Sequence, residues 1–207
     1  MTQTACPFCK EGVLDKYGDH AIVCAGKNDS STRHNAVRDR LAKAAMDGQF
    51  SVSVEKKDVL SDGSQSKPAD IYIPFWKYGK AVAIDVTGAP SHEFCDDVSE
   101  SLNKTTNRKN DKFLKRCNES GVMFKPFVFG SLGNFHEDSV AIINRIGVAQ
   151  SRTRGCKRGD CVRWLKGALS FDIMKAQANA VYSRGAEMKV AVSVLGENLF
   201  AMIIIIQ

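Results

Sequence analysis

Three acids stand where a hard cation could be held. Asp70 opens the apolar run Ile71 to Phe75, Asp85 lies near the end of the run Ala81 to Val86, and Glu55 closes the alternating stretch FSVSVE. A carboxylate in an apolar context is costly unless positive charge meets it. Mg2+ takes oxygen ligands, carboxylates above all. Asp70, Asp85 and Glu55 are therefore candidate ligands of a Mg2+ (or Mn2+) ion. Two plainer readings compete: Asp70 as a turn or cap residue after Pro68, and Asp85 as the partner of a surface lysine.

A second constellation lies upstream, in Cys6-Pro7-Phe8-Cys9, His20 to Cys24 and the pair Arg33-His34. Cys-x2-Cys is a tight knuckle whose thiolates can face one ion, and a histidine and cysteine four apart can meet that ion from a second element. This is tetrahedral Zn2+ chemistry. Cys6, Cys9, His20 and Cys24 are the favoured ligands, with His34 as the substitute for His20. The segment is too short and polar to fold on an apolar core, so the metal would supply its folding energy. Seven cysteines, an odd number, point to a reducing compartment with a metal site rather than a disulfide framework.

The elements that must position these groups follow from periodicity. The runs 71–75 and 81–86 read as adjacent strands joined through Trp76 to Lys80, 50–55 as a further strand, and 122–129 as a third core strand. Helical spacing appears at 33–47, 96–118, 137–147 and 162–184. The helix at 96–118 is basic in its second half, and Lys109, Lys112 and Arg116 recur on one face. Gln150 to Arg163 reads as a basic loop laid on a DNA backbone. The tail Leu199 to Ile206 is very apolar and reads as a buried strand or a partner-binding edge. Cys95 and Cys117 read as core residues.

Lys67-Pro68-Ala69-Asp70, then Asp85-Val86-Thr87 after a spacer ending in Gly79-Lys80, resembles the signature of PD-(D/E)XK nucleases. More narrowly, it is similar to the restriction-endonuclease-like domain that follows the reverse transcriptase in site-specific non-LTR retrotransposons. Asp62-Gly63, Pro74-Phe75-Trp76, the Cys-Cys-His-Cys element with Arg33-His34 behind it, and Asp172 to Ala180 stand where such domains carry related elements. The usual signature has lysine two residues after the second acid, where this chain has Thr87. In the retrotransposon relatives the lysine lies on the next helix, in a pattern that Lys109-Asn110-Asp111-Lys112-Phe113 fits. Relatives often have Glu-Thr before the following turn, where this chain has Gly130-Ser131.

The resemblance implies an α/β fold, a restriction-endonuclease-like mixed central sheet flanked by helices, behind a small zinc knuckle. Residues 1–34 would be the knuckle and 35–207 the nuclease domain. It implies Mg2+-dependent endonuclease activity on DNA, with Asp70, Asp85 and Glu55 at the metal and Lys112, in preference to Lys109, as the catalytic lysine. Candidate DNA contacts are Arg33, Arg38, Lys67, Arg108, Lys115, Arg116, Arg152, Arg154, Lys157 and Arg158. Solvated faces would explain many of these charges equally well.

A net charge of +6 and a pI near 8.9 suit a polyanionic partner without requiring one. No apolar run reaches the roughly 18 residues of a membrane span, and the polar N-terminus has no apolar core of a secretory signal. The expectation is an intracellular protein, nuclear if eukaryotic. The sequence is compatible with a free-standing protein and with the end of a larger reverse-transcriptase-containing polyprotein, and with self-association through the apolar tail. Two rivals remain: a weakened nuclease scaffold that only binds nucleic acid, and a structural or assembly role.

Overall fold

The computed structural model describes residues 4–6, 8–9, 12–14, 20, 24, 28–62, 66–89 and 98–187. Strands β1 (Thr4–Ala5) and β2 (Val13–Leu14) form a short antiparallel ribbon. Helix α1 (Asp29–Asp47) follows, then β3 (Ser53–Val54), β4 (Ile71–Lys77) and β5 (Lys80–Gly88). Helix α2 (Val98–Glu119) leads to β6 (Met123–Phe129), and α3 (Glu137–Arg154) and α4 (Arg158–Glu187) close the order. The expected boundary at residue 34 falls inside α1.

The larger sheet has the order β3-β4-β5-β6, with β3/β4 and β4/β5 antiparallel and β5/β6 parallel. The fold is therefore mixed α/β, a four-stranded mixed sheet with helices on both faces. The burial of β5 shows why: Val82 through Val86 are all buried, as expected of a strand covered on both sides. Val82, Ile84 and Val86 pack with Ile71, Ile73 and Phe127 into the core that holds Val37 and Leu41 of α1, Ile142, Ile143 and Ile146 of α3, and Leu165 and Leu169 of α4. On the other face Ala83 meets Phe113 and Cys117 of α2, with Phe124, Val59 and Leu60.

Several expectations are corrected. The strand expected at 50–55 is only Ser53–Val54, an exposed edge pair, and Glu55 leaves it at φ 51°. The basic loop expected at 150–163 is the end of α3, a turn at Gly155 with φ 64°, and the start of α4. Cys156 and Cys161 form a disulfide across that corner, where the sequence pointed to a reducing compartment rather than a disulfide framework. Cys117 is buried, and burial pushes its thiol pKa up to about 11. Cys95 and the apolar tail 199–206 lie outside the described residues. Among the described residues, no helix is long and apolar enough to cross a membrane.

Candidate functional site

Sheet register brings the two strand acids together. Ile71 faces Ile84 and Tyr72 faces Ala83 across the β4/β5 pair. One step further along the same antiparallel register, Asp70 falls opposite Asp85. Asp85 shares the face of Ala83, which α2 covers, whereas Asp70, just before β4, meets the Val86 N–H and His34 of α1, so the two carboxylates meet at the strand ends. They line one open cleft of about 430 Å3 with Val86, Thr87 and Gly88 of β5, Lys109 of α2, and Ser30, Ser31, His34 and Asn35 of α1.

Each acid is held by specific partners. The Val86 backbone N–H donates to Asp70 Oδ2 at 2.7 Å, and His34 Nε2 lies 3.4 Å from Asp70 Oδ1. The Asp70 hydrogen bond and charge raise the His34 pKa above its usual value, against the effect of burial. Lys109 Nζ lies 2.7 Å from Asp85 Oδ2, which also accepts from Thr87 Oγ1 at 2.9 Å. Asp85 is only 5% exposed. Burial raises its pKa, and Lys109 opposes that rise without cancelling it.

Lys109 rather than Lys112 reaches the acids because of its place on α2. Leu102, Thr106, Phe113 and Cys117 are buried, and position 109 falls on the same helical stripe. Lys112 is exposed, its amine 4.9 Å from the Phe113 ring. Glu55 is also outside the cleft. Its carboxylate pairs with Arg38 and its N–H donates to the Asp70 carbonyl at 2.8 Å, so it supports Asp70 through the backbone alone. His34, weighed as a zinc ligand, stands at Asp70 instead. The role of α1 was not visible in the residue spacing: His34 falls one helical turn after Ser30 and Ser31, so the first two turns of α1 present one polar edge.

The expected phosphate contacts divide. Arg33 is bonded to Gln177, Arg38 to Asp39 and Glu55, and Arg116 to Asp62 at 2.7 Å and to Ser66. These three are structural ties first. Lys67, Arg108, Lys115, Arg152, Lys157 and Arg158 are exposed. Arg154 is exposed too, but reaches Asp47 at 2.8 Å and lies over the Trp164 ring.

The second site is the cysteine cluster. Cys6, Cys9, His20 and Cys24 place one ligand atom each within 4.8 Å of one another. Cys9 Sγ lies 3.2 Å from His20 Nε2, and Cys6 Sγ lies 3.8 Å from Cys24 Sγ. Burial opposes charge on Cys6, but hydrogen bonds from the Cys9 and Phe8 backbone and the side chains of His20 and Cys24 outweigh it and lower its pKa to about 6. A thiol held that low is a thiolate at neutral pH, the form a metal needs. Gly12 closes the site: a Cβ there would collide with the His20 ring. Three sulfurs and one imidazole could hold a metal such as zinc.

Among the described residues this is the one group of three or more such side chains gathered so closely. Asp70 and Asp85 bring two carboxylates to their cleft without a third acid, histidine or cysteine gathered as closely among the described residues. No family model matches the chain, and no curated protein matches it.

Proposed function

We propose that the chain is a metal-dependent DNA endonuclease of the restriction-endonuclease-like class, with its centre at Asp70 and Asp85. One observation carries the reading: two carboxylates from neighbouring strands share a single cleft, and a lysine amine stands 2.7 Å from one of them. Asp70 and Asp85 would hold Mg2+ or Mn2+, which when bound lowers the pKa of a ligand water and stabilises charge on a phosphoryl group. Lys109 orients the attacking water or holds the scissile phosphate. Thr87 and the Val86 N–H fix the carboxylate rotamers. The first turn of α1 adds Ser30 and Ser31 and the partial positive charge of a helix N-terminus, which suits a phosphate oxygen. Exposed Lys67, Arg108, Lys115, Arg152, Lys157 and Arg158 supply backbone affinity that falls steeply with salt.

Nicking of supercoiled plasmid with Mg2+ or Mn2+ tests this. Asp70→Ala and Asp85→Ala are expected to abolish nicking, Lys109→Ala to lower its rate by about 100-fold or more, and Lys112→Ala to leave it within about threefold. Equal activity in wild type and Asp85→Ala would remove the proposal.

A second reading has a specific observation behind it. Asp85 is nearly buried and already paired with Lys109, and Glu55 supplies no third carboxylate. On that reading the scaffold binds nucleic acid without cutting it, and both the wild type and its variants shift DNA but never nick it.

A further inference from the structure

The end of the β4–β5 hairpin remote from the acids is built in an unusual way. Tyr78 and Gly79, between the paired residues Lys77 and Lys80, have φ of 52° and 74°. Two central residues at positive φ make a type I′ turn, whose first position ordinarily takes Asn, Asp or Gly. Tyrosine is a poor choice there for the backbone. Burial does not offset that cost, because Tyr78 is 88% exposed. A strained residue that gains no burial points to a use outside the fold.

The neighbouring residues point the same way. The β4/β5 register slips between Ile73 and Lys77, so Trp76 enters the core at 5% exposure and Phe75 is left 75% exposed. Trp76 is gripped by Phe50, with ring centroids 5.4 Å apart, and by the Arg145 guanidinium at 4.8 Å, which anchors the tip. Lys77 Nζ lies 4.8 Å from the Tyr78 ring. No acidic residue occurs between Asp70 and Asp85. The tip thus offers two exposed rings and two exposed lysines on a tight turn, a combination complementary to a flexible polyanion with flat bases.

We infer that this tip binds single-stranded DNA, with Phe75 and Tyr78 stacking on unpaired bases and Lys77 and Lys80 meeting phosphates. Five residue steps along β5 separate Lys80 from Asp85, roughly 17 Å, the span of about five nucleotides of a stacked strand. A strand opened at the cleft can reach it. That connection rests on the endonuclease reading, whereas the stacking itself does not.

The test uses the full zinc-loaded chain and fluorescence anisotropy with two labelled probes, an oligothymidine and a mixed-sequence duplex of roughly 20 units each, longer than common site sizes. The double variant Phe75→Ala/Tyr78→Ala is expected to weaken oligothymidine binding about tenfold or more, and duplex binding by less than about twofold. Tyr78→Asn relaxes the turn, so its thermal midpoint should hold or rise while oligothymidine binding still falls. Unchanged oligothymidine affinity, equal losses on both probes, or a wild type that does not bind oligothymidine would each overturn the inference. A change in self-association with no change on DNA would overturn it too, in favour of a protein contact. If the wild type binds oligothymidine through the tip but never nicks plasmid, the cleavage reading fails and this one stands.

Discussion

At position 85 an apolar residue would serve the sheet better than the aspartate that is there. Its neighbours Ala83, Ile84 and Val86 are buried, and its carboxylate keeps its charge only against the cost of desolvation. If the Asp85–Lys109 pair exists for chemistry, removing both charges should not harm the fold. Asp85→Val with Lys109→Met is expected to be as stable as wild type, or more stable by up to about 4 kcal/mol, and inactive in nicking. Urea unfolding checks this, and a loss of several kcal/mol would make the pair a structural tie instead. The two acids that meet in the cleft stood out in the sequence because a charge inside an apolar run breaks a pattern. The lysine was less so. Lys112 completes the motif, but Lys109 lies on the stripe of Leu102, Thr106, Phe113 and Cys117, and burial decides which amine turns inward. Glu55 was misleading because alternation carries no warning of a positive φ.

The elements with the clearest periodicity were the most legible. Runs 71–75 and 81–86 became β4 and β5 nearly as expected, and the spacing of Val37, Leu41, Ala44 and Ala45 marked α1. The corner between α3 and α4 was not legible. Arg152, Arg154 and Arg158 read as loop, yet long basic side chains are good helix formers, and the break is confined to residues 155–157, opened by Gly155. A disulfide between Cys156 and Cys161 is likewise invisible without knowing that the chain turns there. The two helices close tightly at Gly147, where an added Cβ would come within 2.7 Å of Val162 Cγ2 and 2.9 Å of its Cα. Gly147→Leu is expected to lower stability by about 1–3 kcal/mol through forced separation of α3 from α4. A thermal midpoint unchanged by that substitution would mean the interface adapts without cost.

For the molecule as a whole, the two candidate metal sites differ in kind and should be separable. Three sulfurs and an imidazole select a softer ion, whereas two carboxylates in an open cleft select a hard one. Co2+ added to metal-free protein should give the intense visible bands of tetrahedral thiolate coordination at one equivalent, and Zn2+ should displace it. Cys24→Ser should weaken those bands, while Asp85→Ala leaves them intact. The sequence carried the cysteine cluster in its spacing; what it could not carry was the placement of His34, which sits near the cluster in the chain but beside Asp70 in space. The central claim, that Asp70 and Asp85 share one cation, is tested most directly by anomalous diffraction from crystals of the zinc-loaded protein soaked in Mn2+. The account predicts a manganese peak between the two carboxylates that vanishes in Asp85→Ala. No peak there in wild type, at a Mn2+ concentration that supports DNA cleavage, would contradict it.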